Sequence, residues 1–144
     1  MIATKSHRDN LLQRLRVEGA DIDRAIQRGT YISLDAADTL STIMVNGLPD
    51  PVRFFEGLNG LIEAASKAAK AGHPRVAFCG ECVGLLWAEG KTDAAIQIEQ
   101  LANDLAKTHE VDLLCAYPLS SINRGEDEHE FQRICTEHSA VCSR

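Results

Sequence analysis

Several things that would announce a function are missing from this 144-residue chain. There is no Gly-x-x-x-x-Gly-Lys-Ser/Thr stretch, so nothing can cradle a triphosphate in the P-loop manner. No Lys/Arg cluster interrupts a formal net charge of −6, and the densest charge run, residues 124–130, is mostly acidic. Nucleic-acid backbones and anionic membranes need concentrated positive charge, so both are poor partners. No apolar run approaches the roughly 20 residues of a membrane span. The first ten residues, MIATKSHRDN, carry charge early and lack the apolar core of a signal peptide. The five cysteines, Cys79, Cys82, Cys115, Cys135 and Cys142, are odd in number and unevenly spaced, unlike a secreted disulfide framework. In a reducing cytosol they are thiols, and the expected address is cytoplasmic.

What is present is enough for one ordinary domain spanning 1–144. Hydrophobic residues make up 44% of the chain and supply a core that needs no disulfides. Short β-type runs alternate with helical patterns. Residues 1–4 read as the end of a strand, after which Ser6 offers an N-cap with Asp9 three residues on. Leu11, Leu12 and Leu15 form one apolar face. Asp21 can cap a short helix that Gly29 stops. Residues 30–34 have strand composition. Asp35 can cap a helix whose face is Ala37, Leu40 and Met44. Residues 47–50 are a turn, and Asp50-Pro51 is a strong helix start. The helix after it carries Phe54, Leu58, Leu61, Ile62, Ala65 and Ala69 as far as Gly72. Gly57 and Gly60 within it suggest close backbone packing.

Residues 75–79 are a buried-type strand, and a helix begins at Val83. Thr92 caps another helix, with Ala95, Ile98, Leu101, Ala102 and Leu105 inward. Residues 111–117 form a strand that Pro118 ends, 128–137 a helix, and 138–142 a final short strand. Strands separated by helices imply right-handed βαβ units and a mostly parallel sheet. Ligands in such sheets sit beyond the carboxyl ends of the strands. Cys79 and Tyr117 lie at such ends.

CGECVGLLWAEG (79–90), AAIQIEQL (94–101) and LLCAYP (113–118), with YISLDAADTL (31–40), NGLPD (46–50) and ICTEHS (134–139), are where the chain resembles a known family. In order and over essentially the whole length, these stretches resemble MEDS, the methanogen/methylotroph sensory domains. The family is thought to be a degenerate relative of RecA/KaiC-type P-loop ATPases. The resemblance implies a RecA-like, three-layer α/β fold. It also implies a sensory input module that passes a signal to a kinase, regulator or repressor. The family pattern begins one strand and one helix earlier. The resemblance therefore also implies a missing central strand and an unpaired edge on the 111–116 strand, and with it either a homo-oligomer formed through that edge or a fragment of a longer gene product.

The candidate site residues follow from position and chemistry. Glu81 stands just past a buried strand, where a Walker-B-like acid could hold Mg²⁺, although ATP hydrolysis is improbable without the phosphate loop. Gly80 lets a ligand approach the backbone closely. Tyr117 can present a hydroxyl to the same cleft, and His7 beside Arg8 can hold an anion at a helix N-terminus. Glu81, Gly80, Tyr117 and His7 are therefore the expected ligand-binding residues.

Cys79 and Cys82 allow three readings. They can be a dithiol whose thiolates a helix N-terminus favours, half of a metal site, or small core residues. Cys115 stands on the strand expected beside Cys79, and His73, His109 or His138 could complete a metal set. Trp87 and Leu86 read as core. Glu99 reads as the edge of an apolar helical face, and His138-Ser139 as a weaker site candidate. The reading that results is a non-catalytic, ligand-binding sensory domain with a small-molecule ligand and a signalling output. It names no cofactor. A CxxC redox switch or oxidoreductase is the first rival, and a metal-binding or scaffold domain the second.

Overall fold

A computed structural model of the chain describes residues 1–69, 75–118 and 128–142. The core is a four-stranded, all-parallel sheet in the order β2-β1-β5-β6, made of Leu34–Asp35, Ile2–Ala3, Val76–Gly80 and Val111–Cys115. Helices α1 (Lys5–Val17) and α2 (Ile22–Arg28) join β1 to β2. α3 (Ala36–Ile43), a β3–β4 hairpin (Met44–Val45, Leu48–Pro49) and α4 (Pro51–Ala69) lead to β5. α5 (Cys82–Ala88) and α6 (Thr92–Thr108) lead to β6, and α7 (Glu128–Thr136) packs on α6.

From β1 the chain first moves one way along the sheet and then returns past it. Right-handed crossovers therefore put α1 and α2 on one face and α3 to α6 on the other. The result is a three-layer α/β fold. It also makes the gap between β1 and β5 the switch point, where helices depart to opposite faces and where open α/β sheets bind ligands.

Local chemistry explains most of the elements. The Asp21 carboxylate accepts from the Arg24 N–H at 3.3 Å, and Gly29 closes α2 at φ 74°. Asp35 accepts from the Ala37 and Asp38 N–H groups at 3.0 and 3.3 Å, and Asp50 accepts from Arg53 N–H at 2.9 Å. Strand alternation turns Val76, Phe78, Val111 and Leu113 toward Ile62 of α4 and Leu105 of α6. The larger core gathers Ile2, Phe54, Val83, Leu86, Ile98 and their neighbours between the sheet and α3 to α6.

Several sequence expectations need correction. The N-cap of α1 is Thr4, two residues before Ser6, and none of the helix's residues is buried. Leu11, Leu12 and Leu15 are only half-buried, because that layer rests on little but α2. Strand β2 is confined to Leu34–Asp35, since only these residues find a ladder partner on β1. The inward face of α3 is Ala36, Leu40 and Ile43, while Ala37 is exposed.

The 47–50 turn is half of a hairpin, with Asn46 (φ 52°) and Gly47 (φ 85°) as its two turn residues. Asn-Gly suits the left-handed conformation that such hairpins require. Gly57 and Gly60 have no atom near the place a Cβ would take. The close approach is at Gly84 instead, where a Cβ would sit 2.5 Å from the Ala116 carbonyl oxygen and 2.8 Å from Pro118 Cδ. Lys91, not Thr92, is the N-cap of α6. β6 ends at Cys115, and 138–142 form no strand. The Gly72 terminus, His73 and residues 124–127 of the acidic run lie outside the described residues.

Candidate functional site

Three backbone hydrogen bonds tie neighbouring strands together beyond their ladders, the first of them across the switch point. Glu81 N–H donates to the Ile2 carbonyl, Leu34 N–H to Met1, and Ala116 N–H to Gly80, each at 2.9 Å. Glu81 follows directly from β5 and turns its carboxylate back across β1. Its Oε2 accepts from the Thr4 N–H at 3.0 Å and the Thr4 hydroxyl at 3.2 Å, and its Oε1 from His7 Nδ1 at 2.6 Å. The sequence suggested an anion at this helix N-terminus. The anion there is Glu81 itself. Glu81 and His7 thus meet as a clasp between the β1–α1 and β5–α5 junctions. Next to it, Arg8 Nη2 donates to Asp35 at 2.9 Å, tying α1 to the end of β2.

Gly80 and Cys82, on either side of Glu81, line an apolar cavity of about 420 Å³ between the sheet and helices α3 and α4. Ile2, Leu34, Phe54, Leu58, Phe78 and Leu113 supply most of its hydrophobic wall. Gly80, Cys79, Cys82 and Cys115 also line it, which joins four of the expected residues at one place. Both hydroxyls and one of the two carboxylates on its polar rim are already engaged. The Thr39 hydroxyl donates to the Asp35 carbonyl at 2.6 Å, and the Thr42 hydroxyl to Thr39 at 2.7 Å. Asp35 holds its own helix cap and Arg8. Backbone N–H donation, from Asp38 first, keeps its carboxyl below the usual value.

Cys79, Cys82 and Cys115 share the cavity wall, but among the described residues they are not grouped closely enough to hold one metal ion together. All are free thiols. Cys82 is buried at the start of α5 with its Sγ 3.8 Å from the Ala36 carbonyl, and burial pushes its pKa up to about 12. Burial also raises Cys79, with Glu81 adding to the shift. Desolvation therefore overrides the helix-terminus effect that favours a reactive thiolate. Cys115 faces α6, where burial and Glu99 raise its thiol further.

Tyr117 does not reach toward Glu81. Its hydroxyl donates to Glu99 Oε1 at 2.6 Å, and its ring meets Trp87 edge-on at 6.2 Å. Burial, with Glu99 next, raises its pKa. Glu99, read from the sequence as an edge residue, is 3% exposed. His138 Nε2 stands 3.3 Å from the same Oε1. The signal for this was the helical spacing, since Glu99 is four residues past Ala95 and three before Ala102, both buried. Trp87 and Leu86 are core, as read. His109 caps the end of α6 and contacts Thr108.

The family model described as "MEthanogen/methylotroph, DcmR Sensory domain" matches residues 1–130. The chain belongs to the MEDS family. MEDS is a family of sensory domains, and a sensory role is consistent with that membership. No curated protein and no solved structure matches the chain. Within this MEDS domain, no helix of the described residues is long and apolar enough to cross a membrane.

Proposed function

We propose that this MEDS domain senses a small, uncharged, mainly apolar molecule held in the cavity that Gly80 and Cys82 line on either side of Glu81. The observation that carries the reading is the cavity's composition and place. It is walled by hydrophobic side chains beside the switch point of a parallel sheet, and its rim hydroxyls are spent on backbone carbonyls. An anionic ligand would lose its hydration there and face the Asp35 and Asp38 carboxylates. An apolar one gains about 25 cal/mol for each Å² removed from water.

Occupancy shifts the protein only as far as the ligand binds one state better than another. The groups placed to report it are those shared by cavity and strand ends. Gly80 leads into Glu81 and its clasp, and Asp35 caps α3. The domain then passes this change to an output domain or protein. A partner surface is available at β6, which among the described residues pairs only with β5 and exposes Leu114 by 63%. Such an edge favours a second copy of the chain.

Thermal denaturation against a panel of small neutral and charged organic compounds tests the reading. A neutral apolar compound at 100 times its Kd should stabilise the domain by about 2.7 kcal/mol. Ala102→Met fills cavity volume from a buried wall position and should abolish the shift. Stabilisation by charged compounds only, or a shift unchanged in Ala102→Met, would reject it.

A further inference from the structure

Where β6, α6 and the segment after α7 converge, Glu99, Cys115 and His138 bring a carboxylate oxygen, a sulfur and an imidazole nitrogen within 4.8 Å of one another. We infer that these three side chains bind a divalent cation of the zinc class, a site separate from the apolar cavity. The three donors come from different elements, and Glu99 and His138 are each held by a contact outside the trio. Asn103 Nδ2 donates to the Glu137 carbonyl at 2.8 Å and Gln100 Nε2 to the Glu137 carboxylate at 3.2 Å, which docks the chain after α7 onto α6. Ile134 and Trp87 pack together beneath it.

The imidazole supplies the deciding detail. His138 Nδ1 lies 2.8 Å from the Ile134 carbonyl oxygen, which can only accept, so Nδ1 carries a proton. That leaves Nε2 aimed at Glu99 Oε1 from 3.3 Å. A backbone carbonyl holding one ring nitrogen while the other faces a cation is the usual support of a metal-ligating histidine. The 3.3 Å separation also matches the edge of a tetrahedron with bonds of about 2.0 Å, which is about 3.3 Å. Tyr117, donating to the same Oε1 at 2.6 Å, orients the carboxylate as a positioning residue.

Sulfur, imidazole and carboxylate together suit zinc and its neighbours rather than magnesium or calcium. Binding breaks the Cys115 S–H bond. The proton leaves to solvent and the thiolate takes the metal, with no electron transferred. His138 lies past the residues that the family model matches.

The test is titration of the chelator-treated full chain with Co²⁺ and then Zn²⁺, with no small molecule present. Its failure therefore leaves the cavity reading standing, and the converse also holds. The expected result is one equivalent of Co²⁺ with tetrahedral visible bands and a near-ultraviolet thiolate-to-cobalt band, both bleached by Zn²⁺. Cys115→Ser should remove the thiolate band, while Cys79→Ser and Cys142→Ser keep it. Tyr117→Phe should weaken binding about tenfold with the spectrum retained. Should Cys115→Ser fail to fold, His138→Gln decides the matter. It changes a half-buried residue outside the sheet and should weaken binding at least as much. The inference is overturned by a chain that binds no cobalt, by cobalt bound without a thiolate band, or by a band that survives Cys115→Ser or His138→Gln.

Discussion

Two glutamates in this domain meet their partners in opposite ways. Glu81 sits at the rim of the switch point, with its side chain 16% exposed, and bonds to Thr4 and His7 across two junctions. Glu99 sits inside, on the inward face of α6, and gathers Tyr117, His138 and Cys115 around it. A rim carboxylate can trade a protein donor for water at small cost. A buried one cannot, so its partners are structural necessities whatever else they do.

The largest expected effect breaks the inner cluster. Glu99→Ala should destabilise the fold by about 3 kcal/mol, since it strands the half-buried Tyr117 hydroxyl and His138 imidazole. Urea denaturation measures it, and a loss equal to that of Glu81→Ala would erase the contrast. Next is Gly84→Ala. Its Cβ would meet the Ala116 carbonyl at 2.5 Å and push the Tyr117 segment away. The overpacking should cost about 2 kcal/mol in the same assay. Glu81→Ala should follow at about 1 kcal/mol, because Thr4 and His7 can turn to solvent.

The thiols sharpen the comparison further. With its pKa pushed up to about 12, Cys82 holds about a thousandfold less thiolate at pH 8 than a thiol at the ordinary 9.0. Iodoacetamide labelling read by mass spectrometry should find exposed Cys142 modified first, with Cys82 and Cys115 last. Rapid labelling of Cys82 would revive a redox role for the CxxC pair. The smallest effect is at the α3 cap. The Asp35 carboxyl is depressed from 3.8, so its contribution is present above that pH and is lost as pH falls through the lowered value. Asp35→Asn, still a cap, should flatten this part of the stability profile between pH 5 and pH 2, an interval set by about one unit either side of a carboxylate's range.

Much of this architecture was legible because it rests on local chemistry. Asp21, Asp35 and Asp50 cap helices where their positions said they would, and the alternation of strands with helices gave the parallel sheet. Glu81 and His7 were legible as site candidates for the same reason, since a residue just past a strand must lie at its carboxyl end. Their bond to each other was not, because it depends on β1 and β5 being neighbours. Glu99 was read as an edge residue from its place one past the apolar Ile98, whereas its spacing from Ala95 and Ala102 puts it inside. Tyr117 was assigned to the wrong cleft because the backbone contact at Gly84, which steers the segment after β6, is a tertiary fact. The expected strand at 138–142 failed because that stretch docks by His138 and Glu137 side-chain contacts rather than by a ladder.

The central claim is that the apolar cavity holds a small molecule. Native mass spectrometry of the gently purified full chain, before and after denaturation, tests it most directly. The account predicts a small neutral adduct, or one taken up from an added apolar compound, that leaves on denaturation and is absent from Ala102→Met. An adduct that Ala102→Met retains, or a chain that takes up only charged compounds, would contradict it.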